Sequence, residues 1–255
     1  YQDLRGHGNS GNFNSYKLED FANDLNQILK KEKIKKWVKD PHNLVLLGIL
    51  AFAFIIRLYY FILTKNQPLW WDEAAYGTLA KNLIYHTWDG TSIIIGETLI
   101  RPPLLPLLWS ILLRIGLDEI GTRFLLEFVP SIFSVFFVYL IGKELYGKKT
   151  GLISAFIFSV LWIHLFYTSR LLTGVPSLAF LLLSVYLFIR STKGKFNSKL
   201  FATSLFLLSI ASLIRYPNGL VFFAYLLFLL FTKKLYLNRA KFWISGIIGV
   251  SPIIL

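Results

Sequence analysis

The sequence lacks several kinds of residue on which common functional sites depend. Its 255 residues include no cysteine and no methionine, and only 14 acidic residues stand against 27 basic ones. Without cysteine, the chain has no disulfide framework, no thiol nucleophile and no Cys-based metal site. The four histidines are scattered, without the spacing of a metal cluster. A glycine-rich loop that would cradle a nucleotide phosphate is also missing.

Apolar residues in long runs dominate what remains. Hydrophobic residues make up 55% of the chain, and the mean hydropathy is +0.56. Runs long enough for membrane-spanning helices recur from residue 43 to the end. The lysines and arginines that give the net charge of +13 cluster in short loops between these runs, as they do in membrane proteins, where such loops determine the orientation. The composition therefore predicts an all-α integral membrane protein with no nucleic-acid partner.

The apolar runs predict about seven spans, by the length that a helix needs to cross a bilayer. They are residues 44–64, 124–142, 150–167, 174–190, 200–214, 217–232 and 242–255. A further run, 103–117, is short and opens with two prolines. If it crossed, the basic loops would move outside, against the positive-inside tendency. We therefore predict an interfacial or re-entrant helix at 103–117, within one long external loop (65–123), and a cytoplasmic N-terminus.

This topology gathers charged residues at the outer membrane surface. They are Asp72, Glu73, Glu97, Arg101 and Arg123 in the external loop, and Arg170 and Arg215 at the outer ends of the third and fifth spans. Arg57 lies inside the first apolar run, where a charge costs at least ~2.5 kcal/mol unless it is paired or reaches water. A carboxylate pair among arginines at a membrane surface predicts an anionic lipid headgroup and an adjacent reaction.

Four short motifs follow one another along residues 40–255. They are Asp72-Glu73-Ala74-Ala75-Tyr76, Arg101-Pro102-Pro103-Leu104, Tyr146-Gly147-Lys148-Lys149-Thr150-Gly151-Leu152 and Tyr167-Thr168-Ser169-Arg170-Leu171-Leu172. In this order and spacing they resemble the multi-spanning C-type (GT-C) glycosyltransferases, most closely the dolichyl-phosphate-mannose protein mannosyltransferases and the aminoarabinose transferases. The resemblance implies transfer of a sugar from a polyprenyl-phosphate-linked donor. The acceptor would be a hydroxyl or amine of a protein, lipid or glycan, on the extracytoplasmic side of the cell membrane.

Carried over residue by residue, the resemblance implies that Asp72 is the catalytic base and Glu73 its acidic neighbour. The substrate-binding candidates are Arg57, Tyr76, Arg101, Arg170 and Arg215. With one acidic pair and no separate nucleophile and acid, we expect a single displacement with inversion. After its fourth motif the family often has an acidic residue shortly before a proline, as in Thr-Asp-x-Pro, and at that position this chain has Gly174. That departure leaves open whether a divalent cation is used.

A second resemblance covers residues 1–36 alone. The strings Asp3-Leu4-Arg5-Gly6-His7-Gly8-Asn9-Ser10 and Tyr16-Lys17-Leu18-Glu19-Asp20-Phe21-Ala22-Asn23-Asp24-Leu25 resemble a turn and the following helix of α/β-hydrolases. No Gly-x-Ser-x-Gly elbow follows them. We expect a non-catalytic soluble strand-turn-helix appendage, joined to a membrane module over residues 37–255 that is a piece of a longer protein.

Other functions and plainer explanations of these residues stay open. A non-catalytic membrane protein of the same fold, which binds or transports lipid-linked sugars or is an inactive remnant, agrees with the glycine at position 174. A soluble hydrolase rests only on residues 1–36. Asp72 and Glu73 are alternatively hydrated loop carboxylates, and Arg101 an ordinary loop charge. Arg57 is alternatively an anchor that snorkels to the interface.

Overall fold

The structure, a computed structural model, describes residues 39–85, 101–232 and 240–254. Within these ranges the chain is helical and has no strand. The helices are α1 (Pro41–Thr64), α2 (Asp72–Tyr85), α3 (Leu104–Arg114), α4 (Glu119–Tyr146), α5 (Lys148–Ser159), α6 (Trp162–Ser169), α7 (Gly174–Thr192), α8 (Ser198–Ile214), α9 (Tyr216–Phe231) and α10 (Ala240–Ile254). The predicted strand-turn-helix of residues 1–36 lies outside the described residues, and so does Glu97.

The chain divides into two compact units, residues 1–48 and 49–255. Within the first unit the structure describes residues 39–48, and α1 begins there at Pro41. Every contact of the candidate site lies within the second unit.

Three of the described helices are long and apolar enough to cross a membrane: α1, α4 and α7. A fourth candidate is the pair α5 and α6, which is bent by 55° at the break between them. Large apolar side chains such as Ile55, Ile153 and Phe231 stay exposed, as expected for surfaces that face lipid. The prediction of an all-α, multi-spanning membrane protein is confirmed. The helices α8, α9 and α10 coincide with the last three predicted spans, but each has at most 17 residues and falls short of the length of a membrane span. The count of about seven spans therefore stays a prediction.

Helix α3 occupies the run that the sequence analysis placed at the interface. Its 11 residues correspond to about 16 Å at the α-helical rise, roughly half the thickness of the hydrocarbon core. Its Leu105 and Trp109 are buried against Tyr76 and Ala80 of α2. A Cβ added to Gly77 of α2 would lie 2.9 Å from the Trp109 ring. The two helices therefore form a closely packed pair that carries Asp72 at one end.

Glycines bring α4 and α5 into close contact. A Cβ at Gly151 would lie 2.7 Å from the Tyr139 carbonyl oxygen, and one at Gly142 would lie 2.9 Å from the Gly151 Cα. Gly147, between the helices, has a φ of 94°, which favours glycine. The third motif of the sequence thus serves helix packing.

Candidate active site

Asp72 begins helix α2, where a carboxylate also interacts favourably with the helix dipole. Its side chain is 62% exposed, and its Oδ1 accepts a hydrogen bond of 2.9 Å from Nη1 of Arg101. The preceding residue, Trp71, has a φ of 45°, a backbone conformation that bulky side chains seldom adopt. Asp72 is thus a water-accessible carboxylate held by a neighbouring guanidinium.

Arg101 and Tyr76 form one side of this environment. The Arg101 guanidinium lies 5.4 Å from the centroid of the Tyr76 ring, and the Tyr216 hydroxyl donates to the Arg101 carbonyl over 3.1 Å. The hydrogen bond to Asp72 raises the pKa of Arg101, and burial raises the pKa of Tyr76. Beside Asp72 there is accordingly a permanently charged guanidinium and a neutral phenol.

Glu73 has the opposite environment, because only 1% of its side chain is exposed. Its Oε2 accepts from Nη1 of Arg170 (3.0 Å) and from the Trp70 amide (3.1 Å). Its Oε1 accepts from the Leu171 amide (2.8 Å) and lies 3.9 Å from Nη1 of Arg123. Both carboxylate oxygens are engaged, which favours a structural role over proton transfer.

Arg123 connects three segments around Glu73. It is fully buried and donates to the carbonyl oxygens of Ser169 (2.8 Å) and Gln67 (2.9 Å). Its Nη2 also donates to Glu119 over 2.7 Å, within the first turns of α4. The guanidinium thereby holds the loop before α2 and the end of α6 against α4.

Glu127 is a residue that the sequence analysis missed. It is fully buried on a π-helical turn of α4, Phe124–Phe128, and its Oε1 accepts from the Leu172 amide over 3.0 Å. The successive amides of Leu171 and Leu172 are therefore held by Glu73 and Glu127, which lie on different helices. The signal was present in the sequence, since Glu127 is a lone charge inside the apolar run 124–142, as Arg57 is inside its own run.

Two cavities meet at Asp72. The larger, of about 460 Å³, has Arg215 in its wall, together with apolar side chains such as Phe158, Leu161 and Leu178. The smaller, of about 330 Å³, is lined by Arg170 and by aromatic side chains, Trp70, Trp71 and Phe166. Asp72, Tyr167 and Leu172 line both cavities. The two arginines predicted near the donor phosphate thus lie on different cavities.

Arg215 differs from Arg170 in its availability. Arg170 is mostly buried and bonded to Glu73, whereas Arg215 is exposed and has no carboxylate partner among the residues that the structure describes. A Cβ added to Gly174 would lie 3.7 Å from Nη1 of Arg215. The position at which the family often carries an acidic residue is therefore beside this free guanidinium.

The structure brings some of the predicted site residues together and separates others. Arg101 contacts both Asp72 and Tyr76, and Glu73 pairs with Arg170. Arg57 lies behind the wall of the larger cavity, fully buried and bonded to His164. In the described part of the chain no group of three or more His, Asp or Glu side chains could hold a metal ion. The mechanism below uses side chains alone.

Comparison with known proteins gives two matches. A family model described as dolichyl-phosphate-mannose-protein mannosyltransferase matches residues 100–255. An uncharacterized protein of Aquifex aeolicus (strain VF5) is 30% identical over 170 residues, which is 66% of this chain and 34% of the relative. The chain thus spans about a third of the length of that curated relative. No solved structure matches. The family match includes Arg101, Arg170 and Arg215 but begins after Asp72.

Proposed function

This chain belongs to the dolichyl-phosphate-mannose-protein mannosyltransferase family, and we propose from that premise that it is a membrane glycosyltransferase of the C-type. It moves a sugar from a polyprenyl-phosphate-linked donor to an acceptor hydroxyl or amine. The observation that carries the proposal is the position of Asp72, a water-accessible carboxylate at the junction of two cavities of different character. Its role rests on this geometry, because it lies before the matched residues.

The larger cavity is assigned to the lipid donor. Arg215 offers a guanidinium that no described carboxylate neutralises, and a planar guanidinium can bind two oxygens of a phosphate at once. The apolar wall that includes Phe158, Leu161 and Leu178 suits the first isoprene units. Charge and apolar surface thus occur together, as a polyprenyl phosphate requires.

The smaller cavity is assigned to the acceptor. Four aromatic side chains line it: Trp70, Trp71, Phe166 and Tyr167. Its Arg170 is already bonded to Glu73, so this cavity offers less free positive charge than the larger one. Because Asp72 lines both cavities, an acceptor bound in the smaller one and a donor bound in the larger one would both lie beside this carboxylate.

In this mechanism Asp72 takes the proton of the acceptor hydroxyl or amine as the new bond to the anomeric carbon forms. The bond between the anomeric carbon and the phosphate oxygen breaks, and the phosphate leaves with its electron pair. Arg215 stabilises the charge that develops on the leaving group. Arg101, packed over the Tyr76 ring, holds the Asp72 carboxylate in place, and Glu73 fixes Arg170 and Leu171 beside it.

The distribution of basic residues supports a location and an orientation. The basic loops between predicted spans assign the N-terminus to the cytoplasmic side of the cell membrane and the Asp72 site to the extracytoplasmic side. The acceptor is then a protein, lipid or glycan that is accessible from that side.

The test uses membrane vesicles that contain the protein and a polyprenyl phosphate carrying radiolabelled mannose, with release of label from the lipid phase as the readout. Asp72→Asn should lower the rate by about 10³-fold, the scale of general base catalysis, without weakening donor binding. Glu144→Gln is the matched control, because Glu144 pairs with Lys193 over 2.9 Å and lines neither cavity. Equal rates for the wild type and Asp72→Asn would refute the role of Asp72. Donor binding without any release would instead support the non-catalytic alternative, which the glycine at position 174 favours.

A further inference from the structure

The wall of the larger cavity also contains His164, which is only 5% exposed. Behind it lies Arg57 of α1, which is fully buried. Nη1 of Arg57 donates to the carbonyl oxygens of Ala53 (3.3 Å) and Ser159 (3.0 Å), and its Nη2 bonds to Nδ1 of His164 over 3.2 Å. Ser159 ends α5, and the break before α6 leaves its carbonyl available to the guanidinium.

The bond from Arg57 determines which nitrogen of His164 carries the hydrogen. A guanidinium only donates, so Nδ1 must be the acceptor, and the neutral ring then has its hydrogen on Nε2. Among the described residues Nε2 of His164 has no hydrogen-bond partner. His164, which is one of the residues that line the larger cavity, therefore carries a buried N–H donor that lacks an acceptor among the described residues.

The charge behind the ring indicates the kind of acceptor. No carboxylate in the described residues pairs with Arg57, although it lies inside a candidate membrane span. A buried positive charge without a counter-ion is unfavourable in a membrane unless an anion comes near it. An anionic oxygen satisfies both the Nε2–H donor and the guanidinium, whereas a sugar hydroxyl would satisfy only the donor.

We propose that His164 binds a phosphoryl oxygen of the lipid-linked substrate in the larger cavity, and that Arg57 positions His164 for this contact. The proposal rests on the proposed function, which assigns this cavity to a polyprenyl phosphate. Within the cavity Arg215 supplies an exposed charge, and His164 supplies a directional hydrogen bond. Arg57 acts through His164 and touches the substrate only by way of its charge.

The test measures equilibrium binding to the full chain in nanodiscs with three probes: a polyprenyl monophosphate, the corresponding polyprenol and inorganic phosphate. His164→Asn is the informative variant, because an amide oxygen can still accept from Arg57 while the donor at the Nε2 position is lost. We expect the Kd for the polyprenyl monophosphate to rise about tenfold, as for loss of a hydrogen bond to a charged group. Binding of the polyprenol should not change. His42→Asn, which replaces a histidine bonded to Asp40, should bind all three probes as the wild type does.

The outcomes separate this proposal from the proposed function. If His164→Asn binds the polyprenyl monophosphate as tightly as the wild type does, the phosphate contact is refuted even if transfer is normal. If the wild type binds in a His164-dependent way but transfers no sugar, the contact stands and the transferase proposal fails. Displacement of the lipid by inorganic phosphate from the wild type, but not from His164→Asn, would support an anion site that recognises the phosphate group of the lipid.

A measurement on the wild type does not depend on how the variant folds. The chain has four histidines, so the ¹⁵N spectrum of histidine-labelled protein is simple. The polyprenyl monophosphate should shift one Nε2 resonance, and the polyprenol should shift none. Identical spectra with the two lipids would overturn the proposal.

Discussion

Asp72 and Glu73 are neighbours in the sequence, yet they belong to two regions with opposite electrostatic character. One region, the cavity region, contains Asp72 and Arg215, which line the larger cavity, and Arg101, which is partly exposed and bonds to Asp72. The other, the buried network, contains Glu73, Glu127, Arg123 and Arg170, whose charged groups bond to one another or to the backbone. Charges in the first region are available for chemistry, while charges in the second hold the chain in place.

Helix geometry explains how neighbours come to differ so much. Successive residues of an α-helix point about 100° apart, and α2 begins at Asp72. Asp72 therefore faces the cavities while Glu73 turns toward the Arg170-Leu171 segment. The pair of carboxylates that looks like one acidic motif in the sequence thus has two different environments in the fold.

The largest effect should come from removing the centre of the buried network. Glu73→Ala leaves Arg170 and two backbone amides without their acceptor, and breaking a buried ion pair in this way costs about 3–5 kcal/mol. Asp72→Asn, which changes an exposed ion pair, should cost at most about 1 kcal/mol. Equilibrium unfolding in SDS would measure both. Equal losses of unfolding free energy in the two variants would contradict the assignment of Asp72 to the cavity region and of Glu73 to the buried network.

A smaller effect is expected at Glu127, which holds the Leu172 amide. Glu127→Leu leaves this buried N–H without an acceptor, at a cost of about 1–3 kcal/mol in unfolding free energy. Glu127→Gln keeps an oxygen at the same place and should retain both stability and transfer rate. Ser131→Ala serves as the control, because Ser131 is equally buried on α4 and its hydroxyl donates to the Phe128 carbonyl of the same helix. A loss of unfolding free energy in Glu127→Gln as large as in Glu127→Leu would show that Glu127 does not stabilise the fold by accepting the Leu172 amide.

The sequence alone predicts the class of fold well, because apolar runs and basic loops are properties of composition. It also singles out the residues around Asp72, since charges at a membrane surface are conspicuous there. The family resemblance is confirmed by the match over residues 100–255. The roles of Asp72, Tyr76, Arg101 and Arg215 stay predictions that the geometry supports.

The sequence does not predict how the charges are distributed between the two regions. Whether a glutamate faces a cavity or a buried arginine depends on the contact between α2 and the segment after α6. In this contact Glu73 and Arg170 are bonded although they are 97 positions apart in the sequence. Glu127 is turned inward by a π-helical turn, which no periodic pattern indicates. His164 looks like one of four scattered histidines until the fold brings Arg57 against it.

The smallest predicted effect concerns Gly174, which lies beside Arg215 of the cavity region. This glycine has no strained backbone angle, and a Cβ there would make only ordinary contact with Arg215, at 3.7 Å. The new carboxylate in Gly174→Asp should form an ion pair with that guanidinium. Arg215 would then no longer be free to bind a phosphate. Binding of a polyprenyl monophosphate should then weaken about tenfold, as expected for partial loss of a charged hydrogen-bond donor.

Gly174→Ala is the matched control for this change, because it adds the Cβ without the charge and should bind the lipid as the wild type does. Equal weakening in both variants would mean that Gly174 is needed for space and that Arg215 is not the phosphate ligand. If Gly174→Asp binds normally, the guanidinium does not contact the phosphate at all. The expected contrast would show that the glycine, where relatives often carry an acid, keeps one arginine of this site free for its substrate.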